Sequence, residues 1–232
     1  MADSSTVQVS IRAEAQLEAA PDEAALDCAV TAVEDDKATS LRVLGRRLDA
    51  ATGAVRDLGG VVRRPGDARR ALAWLVGSFR TQPERHWDQQ LQKYVDTGRV
   101  IASAALTVLV RDFALLDAVG NALAGHEHVH LRYVAWTVDY DNPAWEQVRA
   151  EAVTAAVAKA RHYAGALGGS LVRIDRLADV GLLGSGRPER VMAAAASPDM
   201  GDDEDGPSLD AVPQELHAGI EASFTAAVPP LS

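Results

Sequence analysis

The sequence has one cysteine, few aromatic residues and no surplus of basic charge, and each shortage excludes something. A single cysteine, Cys28, cannot close an intrachain disulfide, so no disulfide framework holds the fold. Aromatic residues make up 5% of the 232 positions, so alanine and aliphatic side chains must fill the core. Acidic residues outnumber basic ones 33 to 23, for a formal net charge of −10. A nucleic-acid backbone needs clustered Lys and Arg to release its counterions, and an anionic membrane surface needs the same, so neither is expected as the main partner. Long hydrophobic runs are missing too. The longest strongly apolar stretch without charge, Val100 to Val110, falls far short of the ~20 residues of a spanning helix and reads as a core strand. The opening Met1-Ala2-Asp3-Ser4-Ser5-Thr6 carries neither the basic nor the apolar region of a signal peptide, so the expected location is cytoplasmic.

What is present is rhythm. Hydrophobic residues are 47% of the chain, enough for a sizeable core. Residues 6–18 alternate, with Val7, Val9, Ile11, Ala13, Ala15 and Leu17 on one side, which predicts a half-buried strand. Pro21-Asp22 reads as a turn into a second alternation through Leu26, Cys28, Val30 and Ala32, so the two runs predict a hairpin. Asp35-Asp36 then opens a helix whose stripe is Leu41, Leu44, Leu48, Ala51, Val55 and Leu58, ended by Gly59-Gly60. Val61-Val62 is a short strand. Residues 71–81 and 99–111 are two more, and Gln82 to Gly98 between them is a long hairpin tip or an excursion from the sheet.

Asp112 caps a short helix through Leu115, Leu116, Val119 and Leu123, which Gly125 stops, and His128 to Tyr140 returns as a strand. Asn142-Pro143 is a helix start, with Asn as the cap and Pro at the first helical position. The Ala-rich helix that follows carries Trp145, Val148, Ala152, Ala155, Ala156, Lys159, Tyr163 and Leu167 near helical spacing and ends at Gly168-Gly169. Ser170 to Leu183 is a strand. Residues 184–208 lose all periodicity and carry the run Asp202-Asp203-Glu204-Asp205, which predicts a mobile loop. Residues 213–227 alternate again, and so strict a pattern requires a place in an existing sheet. The order β-β-α-β-β-β-α-β-α-β-β lacks sustained βαβ units, so the expected fold class is α+β. An antiparallel or mixed sheet would carry long helices on one face, with the hairpin–helix–strand plan occurring roughly twice as a pseudo-repeat. One domain is expected over 1–183 and 209–228, with 229–232 as a tail.

No catalytic constellation emerges, and no enzyme activity is expected. Gly184-Ser185-Gly186 lacks the third glycine and the helix of a dinucleotide site, and P-loop and nucleophile-elbow patterns are missing. Setting Gly206 at the sixth position of a calcium loop puts Gly201 first and Val212 twelfth, where oxygen-bearing side chains are required. His126, His128 and His130 alternate, and on an extended strand they would share one face about 7 Å apart, close enough for two imidazoles to share Zn²⁺ or Ni²⁺. The competing reading is a solvated strand entrance with no resident cofactor and at most adventitious Zn²⁺ or Ni²⁺. His86, Trp87 and Tyr94 are candidates for an oligomer interface, because Trp and Tyr are favoured at interface cores. Cys28 shares the apolar face of its strand and reads as a buried structural thiol. Arg63-Arg64 and Arg69-Arg70 flank Pro65-Gly66, where they would grip an anion or, more commonly, protect a sheet edge.

Several of these segments resemble the SIMPL-domain family, which includes the bacterial periplasmic immunogenic antigens. Val9 to Val33 with Pro21-Asp22-Glu23-Ala24 at its middle is similar to the family's opening, and Asp35 to Gly60 to its long helix. Val110-Arg111-Asp112-Phe113 resembles the family's strand end and short helix. Ala155, Lys159-Ala160, Ala164 and Leu167-Gly168 match its Ala-rich helix, and Ala218 to Phe224 its last strand. The resemblance spans about 6 to 228. Family members are often exported, whereas no signal is seen here, and the long acidic segment 184–208 departs from the pattern. The resemblance carries over no catalytic residues. It implies an α+β domain that self-associates into ring-like or larger homo-oligomers, with links to stress defence. The function expected is therefore a non-catalytic, oligomeric scaffold or shell-like assembly, with small-molecule or metal binding by His126, His128 and His130 as the alternative.

Overall fold

A computed structural model of the chain describes residues 5–182 and 209–230, which divide into two compact units. The expected loop 184–208, with Gly184-Ser185-Gly186 and the acidic run, lies outside the described residues, as do the last two residues of the tail. The elements follow in the predicted order. They are β1 (Ser5–Ala19), β2 (Glu23–Glu34), α1 (Lys37–Asp57), β3 (Val61–Val62), β4 (Leu72–Asp88), β5 (Lys93–Val110), α2 (Leu116–Ala124), β6 (Val129–Thr137), α3 (Ala144–Ala166), β7 (Ser170–Asp179) and β8 (Gln214–Val228). The fold class is α+β, with one antiparallel and one mixed sheet.

The first unit holds a three-stranded antiparallel sheet of order β1-β8-β7, with α3 packed on β1 and β8. β8 is central, and its Phe224, Ala222 and Ile220 stand opposite Val9, Ile11 and Ala13 of β1, all buried. Against them α3 lays Ala152, Ala156, Ala160 and Ala164, a strict four-residue ladder with no accessible surface beyond 1%. Side chains one carbon long let a helix lie close to a sheet. The predicted stripe through Lys159, Tyr163 and Leu167 is corrected here: Tyr163 and Leu167 are exposed, and Lys159 Nζ donates to the Arg12 carbonyl at 3.0 Å. Alanine occurs all round this helix, so its apolar face could not be placed by counting alanines. Asn142 Oδ1 accepts from the Ala144 N–H at 2.9 Å, as a helix cap should, and Gly168 at φ +71° ends α3 in the left-handed region.

The second unit holds a five-stranded sheet of order β3-β4-β5-β2-β6, antiparallel except for β3 beside β4. The predicted hairpin between the first two strands does not form. β1 belongs to the other unit's sheet, and β2 pairs with β5 and β6. Alternation fixes which face a strand buries but not its partner, and Pro21-Asp22 serves as a crossing between sheets as readily as a tight turn. The inward face of β2 (Ala24, Leu26, Cys28, Val30, Ala32) and that of β5 (Ala102, Ala104, Leu106, Val108, Val110) meet Leu44, Leu48 and Val55 of α1 and Leu116, Val119 and Leu123 of α2. Leu41 was expected on the α1 stripe but is 39% exposed. Ser40 takes the inner position, fully buried and donating from Oγ to the Val100 carbonyl at 2.7 Å. Asp36 caps α1 by accepting from the Thr39 N–H at 3.0 Å, which holds its carboxyl below the usual range. Among the described residues no helix is long and apolar enough to cross a membrane.

Cys28 has no accessible surface and is a free thiol. Burial, with the Asp27 charge adding to it, pushes its pKa up to about 11. We expect native protein at pH 8 to label with a maleimide only as fast as it opens, and denatured protein to label at once; rapid native labelling would contradict this packing. The linkage has a definite sign. The unfolded thiol ionises first, so stability is lost as pH rises from about 9 towards 11.

Candidate functional site

Two places gather residues that a folded core does not need. The first is the segment Gln82 to Gly98. Of the two expected alternatives it is the long hairpin tip, because β4 and β5 continue as a paired two-stranded ribbon to a turn at 89–92. Irregular pairing marks where the ribbon changes course: between Val76 and Phe79, and again between Pro83 and Arg85. Gly98 sits at the second place with φ +83°, a conformation open to glycine. Arg85 Nε pairs with Asp96 at 2.7 Å, and Thr97 Oγ1 donates to Glu84 Oε2 at 2.7 Å. At the tip Asp88 Oδ1 accepts from the backbone N–H of Leu91 and Gln90, at 2.9 and 2.8 Å, which lowers its pKa.

Of the interface candidates, Trp87 and Tyr94 stand directly opposite each other, with ring centroids 5.2 Å apart in an edge-to-face pair. His86 is placed on the neighbouring rung opposite Val95. Sequence reasoning missed two further exposed apolar side chains of this hairpin. Phe79 is 60% exposed and Leu91 57%, alongside Trp87 at 48% and Tyr94 at 66%. Phe79 was counted with the preceding strand, whose pairing shifts between Val76 and Phe79 so that Phe79 stands opposite Ala104; Gly77 within that shift is the sequence signal that could have marked it.

The second place is the turn from α2 into β6. Only His130 lies on the strand; His126 and His128 lie in the turn before it, so the three do not share one extended face as the alternation predicts. Among the described residues no group of three or more His, Cys, Asp and Glu is placed to hold a metal ion. The turn is held by its backbone. His126 N–H donates to the Leu123 carbonyl at 3.1 Å, and Val129 N–H donates to the His126 carbonyl at 2.9 Å. The Thr31 N–H of β2 donates to the His128 carbonyl at 3.1 Å.

His126, Glu127, His128 and Val129 form one wall of a groove of about 300 Å³, and Val43, Arg46, Arg47 and Ala50 of α1 form the other. The two arginines were not anticipated, because nothing local in the sequence ties 43–50 to 126–129. The arginine loop lies between β3 and β4, where Arg63, Asp67 and Arg70 line one small hollow. Asp67 Oδ2 accepts from the Arg64 N–H at 2.9 Å, and the loop follows β3, the outermost strand of its sheet.

The family model SIMPL, described as a protein of unknown function (DUF541), matches residues 9–224. The chain belongs to the SIMPL family. The match takes in most of β1 and most of β8, so it spans both compact units and every described helix of this SIMPL protein. No curated protein matches the chain.

Proposed function

We propose that this SIMPL protein is a non-catalytic, self-associating domain whose copies join through the β4–β5 ribbon into an oligomeric scaffold or shell-like assembly, serving stress defence. The carrying observation is the ribbon with its exposed Phe79, Trp87, Leu91 and Tyr94. A two-stranded ribbon is at best marginally stable in water, and large aromatics left wet gain most from being covered. Trp and Tyr are the residue types that dominate interface energetics. Identical patches in closed symmetry bury one another without leaving a sticky edge.

Light scattering on a sizing column at micromolar concentration tests the reading. The expected mass is a multiple of 24.5 kDa. The double variant Trp87→Ala/Tyr94→Ala is expected to fall to 24.5 kDa with its helical circular dichroism intact. A wild-type chain that runs as a clean monomer would overturn the proposal.

A further inference from the structure

We infer that the groove between α1 and the 126–129 turn binds a small organic oxyanion, a carboxylate or phosphate carried on a compact apolar body. The inference does not depend on self-association. The chain carries net charge −10, yet two guanidiniums and two imidazoles converge on this groove. Among the described residues neither Arg46 nor Arg47 has a carboxylate within ion-pair distance. The one acid of the lining, Glu127, is almost fully exposed and stands 3.8 Å from His128 Nε2.

The site is also preorganised. Thr31 clamps both walls: its carbonyl accepts from Arg47 Nη1 at 2.5 Å, and its N–H holds the His128 carbonyl. Arg47 is thereby fixed with most of its five donors left over, a fork that suits planar carboxylate and phosphate oxygens. Val43, Ala50 and Val129 supply apolar lining on both walls, and about 300 Å³ lies at the small end of ligand sites. The same guanidiniums repel a divalent cation, so the histidines serve an anion better than a metal.

Calorimetric titration of the full chain tests this with four probes: phenyl phosphate, benzoate, inorganic phosphate and benzyl alcohol. Phenyl phosphate or benzoate is expected to saturate one site, and which of them binds more tightly identifies the head group. Inorganic phosphate is expected to bind at least about tenfold more weakly, and benzyl alcohol not to saturate. Arg46→Glu, on an exposed side chain that the fold does not need, is expected to weaken binding by about tenfold or more with unchanged circular dichroism. Three results would overturn the inference. One is benzyl alcohol binding as well as phenyl phosphate. Another is one equivalent of Zn²⁺ binding in a manner lost in His126→Ala/His128→Ala. The third is no saturation by either organic anion at about ten millimolar.

Discussion

Replacing Gly169 by alanine is expected to separate β7 from β8 and to destabilise the three-stranded unit by about 3 kcal/mol or more. Gly169 lies where the chain leaves α3 for β7, and its N–H donates to the Ala164 carbonyl at 2.9 Å. A methyl group at this position would sit 2.1 Å from the Ala227 carbonyl oxygen and 2.8 Å from Val228 Cγ1. The first neighbour is backbone of the central strand, opposite Ser170, and cannot swing aside as a side-chain tip would. Relief requires the strands to part or the end of α3 to lift, and the Ala152–Ala164 ladder then loses its close seat on the sheet. Gly53→Ala is the matched control. It is a helical glycine with nothing within 4 Å of the added carbon, so it should gain about 0.5–1 kcal/mol. Urea titration compares the two variants, and hydrogen exchange locates the damage in β7 and β8. A Gly169→Ala chain as stable as the parent would contradict this strand junction.

Leu106→Ala should produce a loss of similar size in the five-stranded unit, about 2–5 kcal/mol. Leu106 has no accessible surface and sits on β5, the middle strand, opposite Val76 on one side and Cys28 on the other. Its side chain belongs to the cluster that α1 and α2 cover with Leu44, Leu48 and Val119. Walls made of two helices and neighbouring strands collapse poorly into a cavity, which places the loss above the simple transfer value. Hydrogen exchange should rise in β2, β4 and β5. A loss below about 1 kcal/mol would mean that the layer is not closely packed.

The element order was legible because the long elements each repeat their own period over many residues. β1 alternates for more than a dozen positions, and α1 is bracketed by Asp36 and Gly59, whose chemistry marks helix ends. What the periods do not carry is pairing. β1 and β2 each present one apolar face, and that pattern is satisfied whether they face each other or lie in different sheets. The ladder on α3 was hidden for a related reason: alanine at 155, 156, 160 and 164 reads alike, and only the sheet beneath decides which are covered. Ser40 displaced Leu41 because a hydroxyl can donate to the Val100 carbonyl, an interaction sixty residues away along the chain. The two candidate sites divide likewise. Trp87 and Tyr94 are close in sequence and were found together, as were His126 and His128, whereas Arg46 and Arg47 were not, because Arg47 and the His128 carbonyl meet at Thr31 on a third element.

The middle position of β8 has a consequence for synthesis. The five-stranded unit is complete in its strands once residue 137 has been made. Among the described strands β1, in contrast, is made before the others and pairs with β8, made after them and beginning at Gln214. At ordinary elongation rates that wait is roughly ten to forty seconds. During it Val7, Val9 and Ile11 present an unpaired apolar strand to whatever is nearby, a nascent-chain chaperone included. A chain interrupted before Gln214 would keep the folded five-stranded unit but leave β1 and β7 with no strand between them.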